Sequence, residues 1–305
     1  PVSSTHSVVG AMLGFGLVTS GTAAVHWPTL ITIVLSWIVS PFMAAAISFG
    51  IYKLIRHTIQ AGPNQMKQLM HWAPIWLGVI AGIVVYSFLF HTNIGQELAI
   101  SGPAALGASL AIALAVWVSS RAMRNHLPKL RHENLDPVEE RFRHLQVFTS
   151  CYVSLAHGSN DVANALGPVV AIYTLAKHRD LVSSADIPWP ILIIGGLGIA
   201  TGIMLLGQKV MKTIGEGITK LDNQRGFAAD LATATTIMAA SDLSLPVSST
   251  TAAVGAVTGV GLARGMAHID TSVLRRIFLY RVLTVPVSAF SCMVIYWVLR
   301  AVFLK

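Results

Sequence analysis

Pro1-Val2-Ser3-Ser4-Thr5-His6-Ser7 stands at the head of this chain, and Pro246-Val247-Ser248-Ser249-Thr250-Thr251-Ala252 returns nearly the same phrase 245 residues later. Aligned without gaps, the two copies agree at 11 of 17 positions, through Leu17 and Leu262. The same offset relates Pro41 to Pro286 inside the next apolar segment. A whole structural unit is duplicated within the chain.

Composition states which kind of unit it is. Hydrophobic residues make up 54% of the 305 residues and charged residues 11%, with mean hydropathy +0.66. Soluble domains carry about 25% charged residues, so a soluble reading is excluded. Crossing a bilayer takes roughly 20 apolar residues. Stretches of that kind run over Pro28–Tyr52, Pro74–Phe90, Pro103–Ser120, Pro188–Leu206 and Ile277–Leu299. Leu145–Ala176 and Phe227–Ala263 are apolar but interrupted by polar residues. The expected fold class is an all-α polytopic membrane protein embedded in the lipid bilayer. Cys151 and Cys292 lie in apolar segments and give no metal or disulfide spacing.

The net charge of +8 suggests nucleic acid until its distribution is read. No Lys or Arg occurs in residues 1–52, 144–176 or 226–263. Lys53, Arg56, Lys67, Arg121, Arg124, Lys129, Arg131, Arg141, Arg143, Lys209, Lys212, Lys220 and Arg225 fall in expected loops, the pattern of cytoplasmic loops. No nucleic-acid partner is expected. With loop 121–143 inside, loops 91–102 (with Glu97) and 18–27 fall outside, and loops 53–73, 207–225 and 264–276 inside. Loop 177–187, with Lys177 and Arg179, is a mild exception. The regions after the two copies of the phrase then lie on opposite faces, which makes the repeat inverted in topology, a construction common among alternating-access carriers. The chain divides into residues 1–52 (remainder of the first repeat), 53–143 (connecting helices and basic loop) and 144–305 (second repeat).

Between two cytoplasmic loops the chain must turn back at Asp242-Leu243-Ser244-Leu245-Pro246, where proline bars a helix interior. Phe227–Ser241 and Val247–Leu262 are each too short to span, so a re-entrant helical hairpin is expected. Irregular backbone at membrane depth survives only beside a polar cavity. After Pro246, the hydroxyls of Ser248, Ser249 and Thr250 read as a helix start, with proline in its first turn. Free amides, a partial positive charge and hydroxyls at one point make an anion site, and Ser3, Ser4 and Thr5 supply its mirror mate. Bonding of these hydroxyls back to their own helices is the plainer alternative.

His157-Gly158-Ser159-Asn160-Asp161-Val162-Ala163-Asn164-Ala165 is the second polar group. An acid inside an apolar stretch marks a functional site. Asn160, Asp161 and Asn164 offer oxygens to a small hard cation and amide donors to an oxyanion; a structural turn is the alternative. Asp242 at the hairpin tip and Asp230 near the membrane edge are further cation-coupling candidates, and His6 and His157 stand beside the motifs. The three site regions contain no Lys or Arg. An anion drawn into low dielectric there needs counter-charge, from helix ends and from co-transported H+ or Na+, or a divalent metal already bound to it. No resident cofactor and no catalytic residue are expected.

The phrases Gly158–Ala165 and Pro246–Thr250, with Pro1–His6 and Arg225-Gly226-Phe227-Ala228-Ala229-Asp230-Leu231, resemble the PiT family of inorganic phosphate transporters over the whole chain, its bacterial low-affinity members especially. The resemblance implies symport of phosphate with protons or sodium through a central site. Ser3, Ser4, Thr5, Ser248, Ser249 and Thr250 would bind phosphate, and Asn160, Asp161 and Asn164 would shape the phosphate and cation sites. A multi-pass protein of a bacterial inner membrane and a homodimer are expected. Three residues depart from the family pattern: Ser159 in place of alanine, Thr251 in place of a frequent histidine, and Asp242 in place of the asparagine of sodium-coupled members.

The leading expectation is phosphate import with H+, preferred over Na+. A sulfate permease of the same fold is the rival, with a phosphoester-processing membrane enzyme and a non-transporting receptor or channel further off. Gly158 and Pro246 are 88 residues apart (246 − 158), so a first copy of the Asn-Asp phrase is expected about as far before Pro1. Residues 1–305 alone are therefore expected not to transport, and robust phosphate uptake by vesicles containing only this polypeptide would refute that.

Overall fold

The computed structural model describes residues 2–91, 101–123, 136–178, 188–243 and 245–303. Pro1, Ser244 and the loop residues Glu97, Arg124, Lys129, Arg131 and Arg179, used above for the motif, the hairpin tip and the sidedness of the loops, lie outside the described residues. Among those described, all regular structure is helical. In chain order come α1 (Ser4–Ser20), α2 (Trp27–Ile55), α3 (Gln65–His91), α4 (Gly102–Met123), α5 (Pro137–His178), α6 (Trp189–Gly215), α7 (Asn223–Asp242), α8 (Ser249–Arg264) and α9 (Thr271–Phe303).

Six helical segments, those of α1, α2, α3, α4, α6 and α9, are long and apolar enough to cross a membrane. The helices run past the apolar limits. Helix α2 continues to Ile55 and then through a π-helical turn at Arg56–Gln60, α3 begins at Gln65, and α6 ends at Gly215. Arg141 and Arg143, expected in a loop, lie within the first turns of α5. Basic side chains at helix ends extend their heads toward water while the helical backbone continues beneath them, so the charge pattern marks the membrane edge better than the helix end.

No residue of α6 is buried, and Trp189, Met204 and Leu205 are 78, 82 and 77% exposed. An apolar helix with no buried residue needs lipid around most of its surface. The hairpin is the reverse. Most of α7 and α8 is buried, and Phe227, Ala228, Ala232, Ile237, Ala252, Ala256 and Val260 form the centre of the core with Ala44, Ile55, Phe142 and Ala156. Helix α7 spans 20 residues, a turn more than the apolar count suggested, because it starts at Asn223 under an Asp222 cap accepting from Arg225 N. Helix α5 runs unbroken for 42 residues through Gly158 and Pro168, about 63 Å at ~1.5 Å per residue. The Asn-Asp phrase is thus helical and not a turn.

The duplication reappears in the packing. A methyl added at Gly10 would come 2.7 Å from the Val285 carbonyl oxygen, and one at Gly14 2.3 Å from that of Ala289. Gly255 meets the Pro41 carbonyl at 2.3 Å and Gly259 that of Ala45 at 2.1 Å in the same sense. Gly10 and Gly14 become Gly255 and Gly259 on adding 245. Each repeat's small-residue helix therefore lies on the other repeat's proline-bearing helix: α1 on α9, α8 on α2. In both pairs the contact advances four residues on each helix together, so both pairs are parallel.

Helix α2 folds back toward the start of α1. A short turn, with Gly21 at φ +71°, joins them, and the His6 and Trp37 rings meet farther on with centroids 3.8 Å apart. With α8 parallel to α2, α1 and α8 run in opposite directions from a common starting point. The Ser48 hydroxyl adds a 2.7 Å bond to the Ala256 carbonyl across the α2–α8 contact, and close backbone approach through glycine is the general means of helix association in membranes.

Gly14→Ala and Gly259→Ala are expected to destabilise by about 1–3 kcal/mol each through overpacking. Gly16→Ala, with open space around it, is expected to be neutral. Thermal unfolding in detergent checks both, and an unchanged midpoint for Gly259→Ala would contradict the close approach.

Candidate functional site

Both copies of the repeated phrase start a helix in the same way. Ser3 caps α1 and accepts from His6 N at 3.2 Å; Ser248 caps α8 and accepts from Thr251 N at 3.2 Å. Their backbones agree closely, with φ/ψ of −91/121° and −90/114°. Serine is the cap, so Pro246 stands two residues before it instead of in the first helical turn. There it ends the irregular segment, and its carbonyl accepts from Trp37 Nε1 at 3.0 Å. The first intrahelical or capping bonds are made by the amides of His6 and Ser7 in one helix and of Thr251 and Ala252 in the other. The amides of Ser4, Thr5, Ser249 and Thr250 precede them and form the donor end of each helix.

The two helix starts meet. Thr5 Oγ1 donates to the Val247 carbonyl at 3.2 Å and accepts from Asn164 Nδ2 at 3.2 Å. Asn160 Nδ2 donates to the same Val247 carbonyl at 3.1 Å and to Asp161 Oδ1 at 3.0 Å. Ser249 Oγ reaches Asp161 Oδ1 at 3.1 Å and Oδ2 at 3.2 Å. His157 Nε2 lies 2.8 Å from Asp161 Oδ2 and 3.3 Å from Ser249 Oγ. The helical spacing of α5 explains these groupings: His157 and Asp161, like Asn160 and Asn164, are four residues apart and share a face. Three elements, α1, α5 and the start of α8, thus converge on one polar centre, with Ser3, Thr5, Asn160, Ser248 and Ser249 buried.

The remaining candidates lie less deep or farther off. Ser4 is exposed and Thr250 half-buried. Asp242 is the last residue of α7 and exposed. Asp230 accepts from Ser150 Oγ at 2.7 Å across the α5–α7 contact, eleven residues and about 16 Å along α5 from Asp161. It makes a second polar spot, distinct from the central one.

Two neighbours escaped the sequence reading. Trp37 borders the centre, its ring against that of His6 at a tilt of 40° and its Nε1 bonded to the Pro246 carbonyl. Arg281 of α9 is 8% exposed, and its Nη2 donates to the Thr250 carbonyl at 2.9 Å. A lone arginine in the last apolar stretch was the visible signal. The lack of basic residues in the three site regions holds for those regions only, because α9 brings one in from outside them. The site joins helix-end amides, hydroxyls and a guanidinium, which suit an oxyanion, to a carboxylate and carbonyl and amide oxygens, which suit a cation.

Comparison with known proteins agrees with this chemistry. Two relatives named "Putative phosphate permease" are similar along nearly the whole chain. That of Pyrococcus abyssi is 41% identical over 306 residues, 98% of this chain and 73% of the relative. That of Haemophilus influenzae is 38% identical over 310 residues, 99% of this chain and 73% of the relative. A solved structure described as "The sodium-dependent phosphate transporter" superposes with TM-score 0.88 at 40% identity, covering 99% of this chain and 74% of that one. Residues 1–292 match the Phosphate transporter family, and the chain belongs to that family: a multi-pass membrane protein for phosphate transport, and not an enzyme.

Proposed function

We propose that the chain forms the substrate centre of a secondary active importer that carries inorganic phosphate together with a cation, by alternating access. The observation that carries this is the head-to-head meeting of the two helix starts at Thr5 and Val247 beside Asp161. Phosphate would be held by Ser3, Ser4, Thr5, Ser248, Ser249 and Thr250 with the amides that follow the caps. Asn160, Asp161 and Asn164 would order the anion and hold the cation, with Asp230 and Asp242 as outlying cation positions. The opposed directions of α1 and α8 support repeats inverted across the bilayer. On this reading residues 1–52 and 144–305 are the two repeats, residues 53–143 connect them, and the membrane is a bacterial inner one holding a homodimer.

Sodium is the preferred coupling ion. Asp161, Ser249 Oγ, Thr5 Oγ1 and the Val247 carbonyl provide closely spaced oxygens, as a hard cation needs, and the likeness to a transporter described as sodium-dependent points the same way. The sequence alone had favoured the proton. That second reading keeps one specific support, the 2.8 Å contact of His157 with Asp161, across which a proton can pass.

Uptake into proteoliposomes of the full-length protein separates the two. An inward sodium gradient is expected to accumulate phosphate at uniform pH, and a proton gradient without sodium is expected not to. The opposite result assigns the proton. Ser249→Ala removes a buried hydrogen-bond partner, worth roughly 1–3 kcal/mol, and Asp161→Asn exchanges the carboxylate's charge and one acceptor oxygen for a neutral amide; both are expected to cut phosphate uptake about tenfold or more. Wild-type uptake by both variants would displace the site.

A further inference from the structure

Arg281 lies within α9, in a segment long enough to span the membrane. Its side chain points into the protein at 8% exposure. Among the described residues no acidic group lies within ion-pair distance of it. Its single protein bond runs from Nη2 to the Thr250 carbonyl, and Nε is buried with no partner. Buried cations inside membrane proteins face the interior, pair with an anion, and mark the path of a substrate or ion. Among the described residues this one has no anion of its own.

Its position follows from the packing. Helices α1 and α9 run parallel with Gly10 against Val285, so one turn earlier His6 stands opposite Arg281. The guanidinium therefore sits between the first turn of α1 and the first turn of α8. Two further buried polar atoms in the first turns of α1 and α8 also lack partners, His6 Nδ1 and Thr251 Oγ1. These residues are equivalent in the two repeats (6 + 245 = 251), so the unmet polar atoms gather on the same turn of both. Asp161 approaches the start of α8 through Ser249, and Arg281 approaches it through Thr250.

We propose that Arg281 is the fixed counter-charge of the phosphate site, a positioning residue that holds the first turn of α8 and supplies the permanent positive charge that draws phosphate to the paired helix starts. The two repeats differ here: the position equivalent to Arg281 in the first repeat (281 − 245) is Ser36. One half of the centre is thus cationic through Arg281 and the other is not. The co-transported cation then offsets only the charge that Arg281 leaves uncompensated, and it belongs at the Asp161 side of the start of α8.

The inference rests on the phosphate site proposed above, and the test keeps the two apart. Arg281→Met, Arg281→Lys, Ser249→Ala and Asp161→Asn are compared in the full-length protein for phosphate uptake (KM and Vmax) and for thermal stability. Methionine fills the space without charge, and replacing an unpaired buried charge by an apolar group often leaves a protein as stable or more so. Arg281→Met is expected to raise KM for phosphate about tenfold or more, with Vmax and thermal midpoint nearly kept. Arg281→Lys retains the charge but not the fork, and its KM is expected to stay within about threefold of wild type. A folded Arg281→Met with wild-type KM overturns the proposal, and so does an equal loss in the Lys and Met variants, which would signify a structural tether alone. If the Met variant does not accumulate, the Lys variant decides: a KM near wild type supports the charge account and a tenfold rise refutes it. Should Ser249→Ala and Asp161→Asn also transport normally, the site itself is wrong; if they fail while Arg281→Met transports normally, only the role of Arg281 is.

Discussion

Two helix starts are buried nose to nose in the interior of an apolar protein, and everything around them follows from the need to satisfy their unbonded amides. A helix that begins in an apolar interior leaves donors which neither lipid nor aliphatic side chains can meet. Part of the demand is met by Ser3 and Ser248, whose hydroxyls take the amides of His6 and Thr251. Between the two starts, the Val247 carbonyl is clamped by Thr5 and Asn160. The amides left over form a small region of positive potential, and an oxyanion is the partner that matches it.

Such an arrangement requires helices to approach more closely than ordinary side chains allow. Glycine at positions 10, 14, 255 and 259 lets α1 and α8 rest directly on the carbonyls of α9 and α2. Exchange of these partners between repeats ties each helix start to the opposite half of the molecule. A motion of one repeat against the other must therefore act on the centre through both starts at once. Helix α5 contributes differently: one unbroken rod carries His157, Asn160, Asp161 and Asn164 on adjoining faces into the gap.

Charge is distributed unevenly about that gap. Asp161, held by Ser249, Asn160 and His157, lies on one side; Arg281, bonded to the Thr250 carbonyl, lies on the other. The first turn of α8 is thus gripped by a carboxylate at Ser249 and by a guanidinium one residue on. An anion and a small cation placed there together would each have a group of opposite sign within reach, which is the physical basis of the coupling proposed above.

The repeated phrase, the Asn-Asp phrase, the break at Pro246 and the all-helical membrane class were legible from residue order, because each depends on local chemistry: caps, apolar length, proline geometry and the burden of a buried acid. Even the family was readable from those phrases. Helix ends were not, since polar turns continue a helix beyond the membrane edge without any change that composition registers. Nor could residue order say that Asp230 would bond Ser150 far from Asp161, that α1 would choose α9 and α8 choose α2, or that Arg281 would enter the centre from a distant helix. Those facts depend on which surfaces fit together in three dimensions, and close packing through four glycines, summed over whole helices, is a property of the assembled fold and of no single segment.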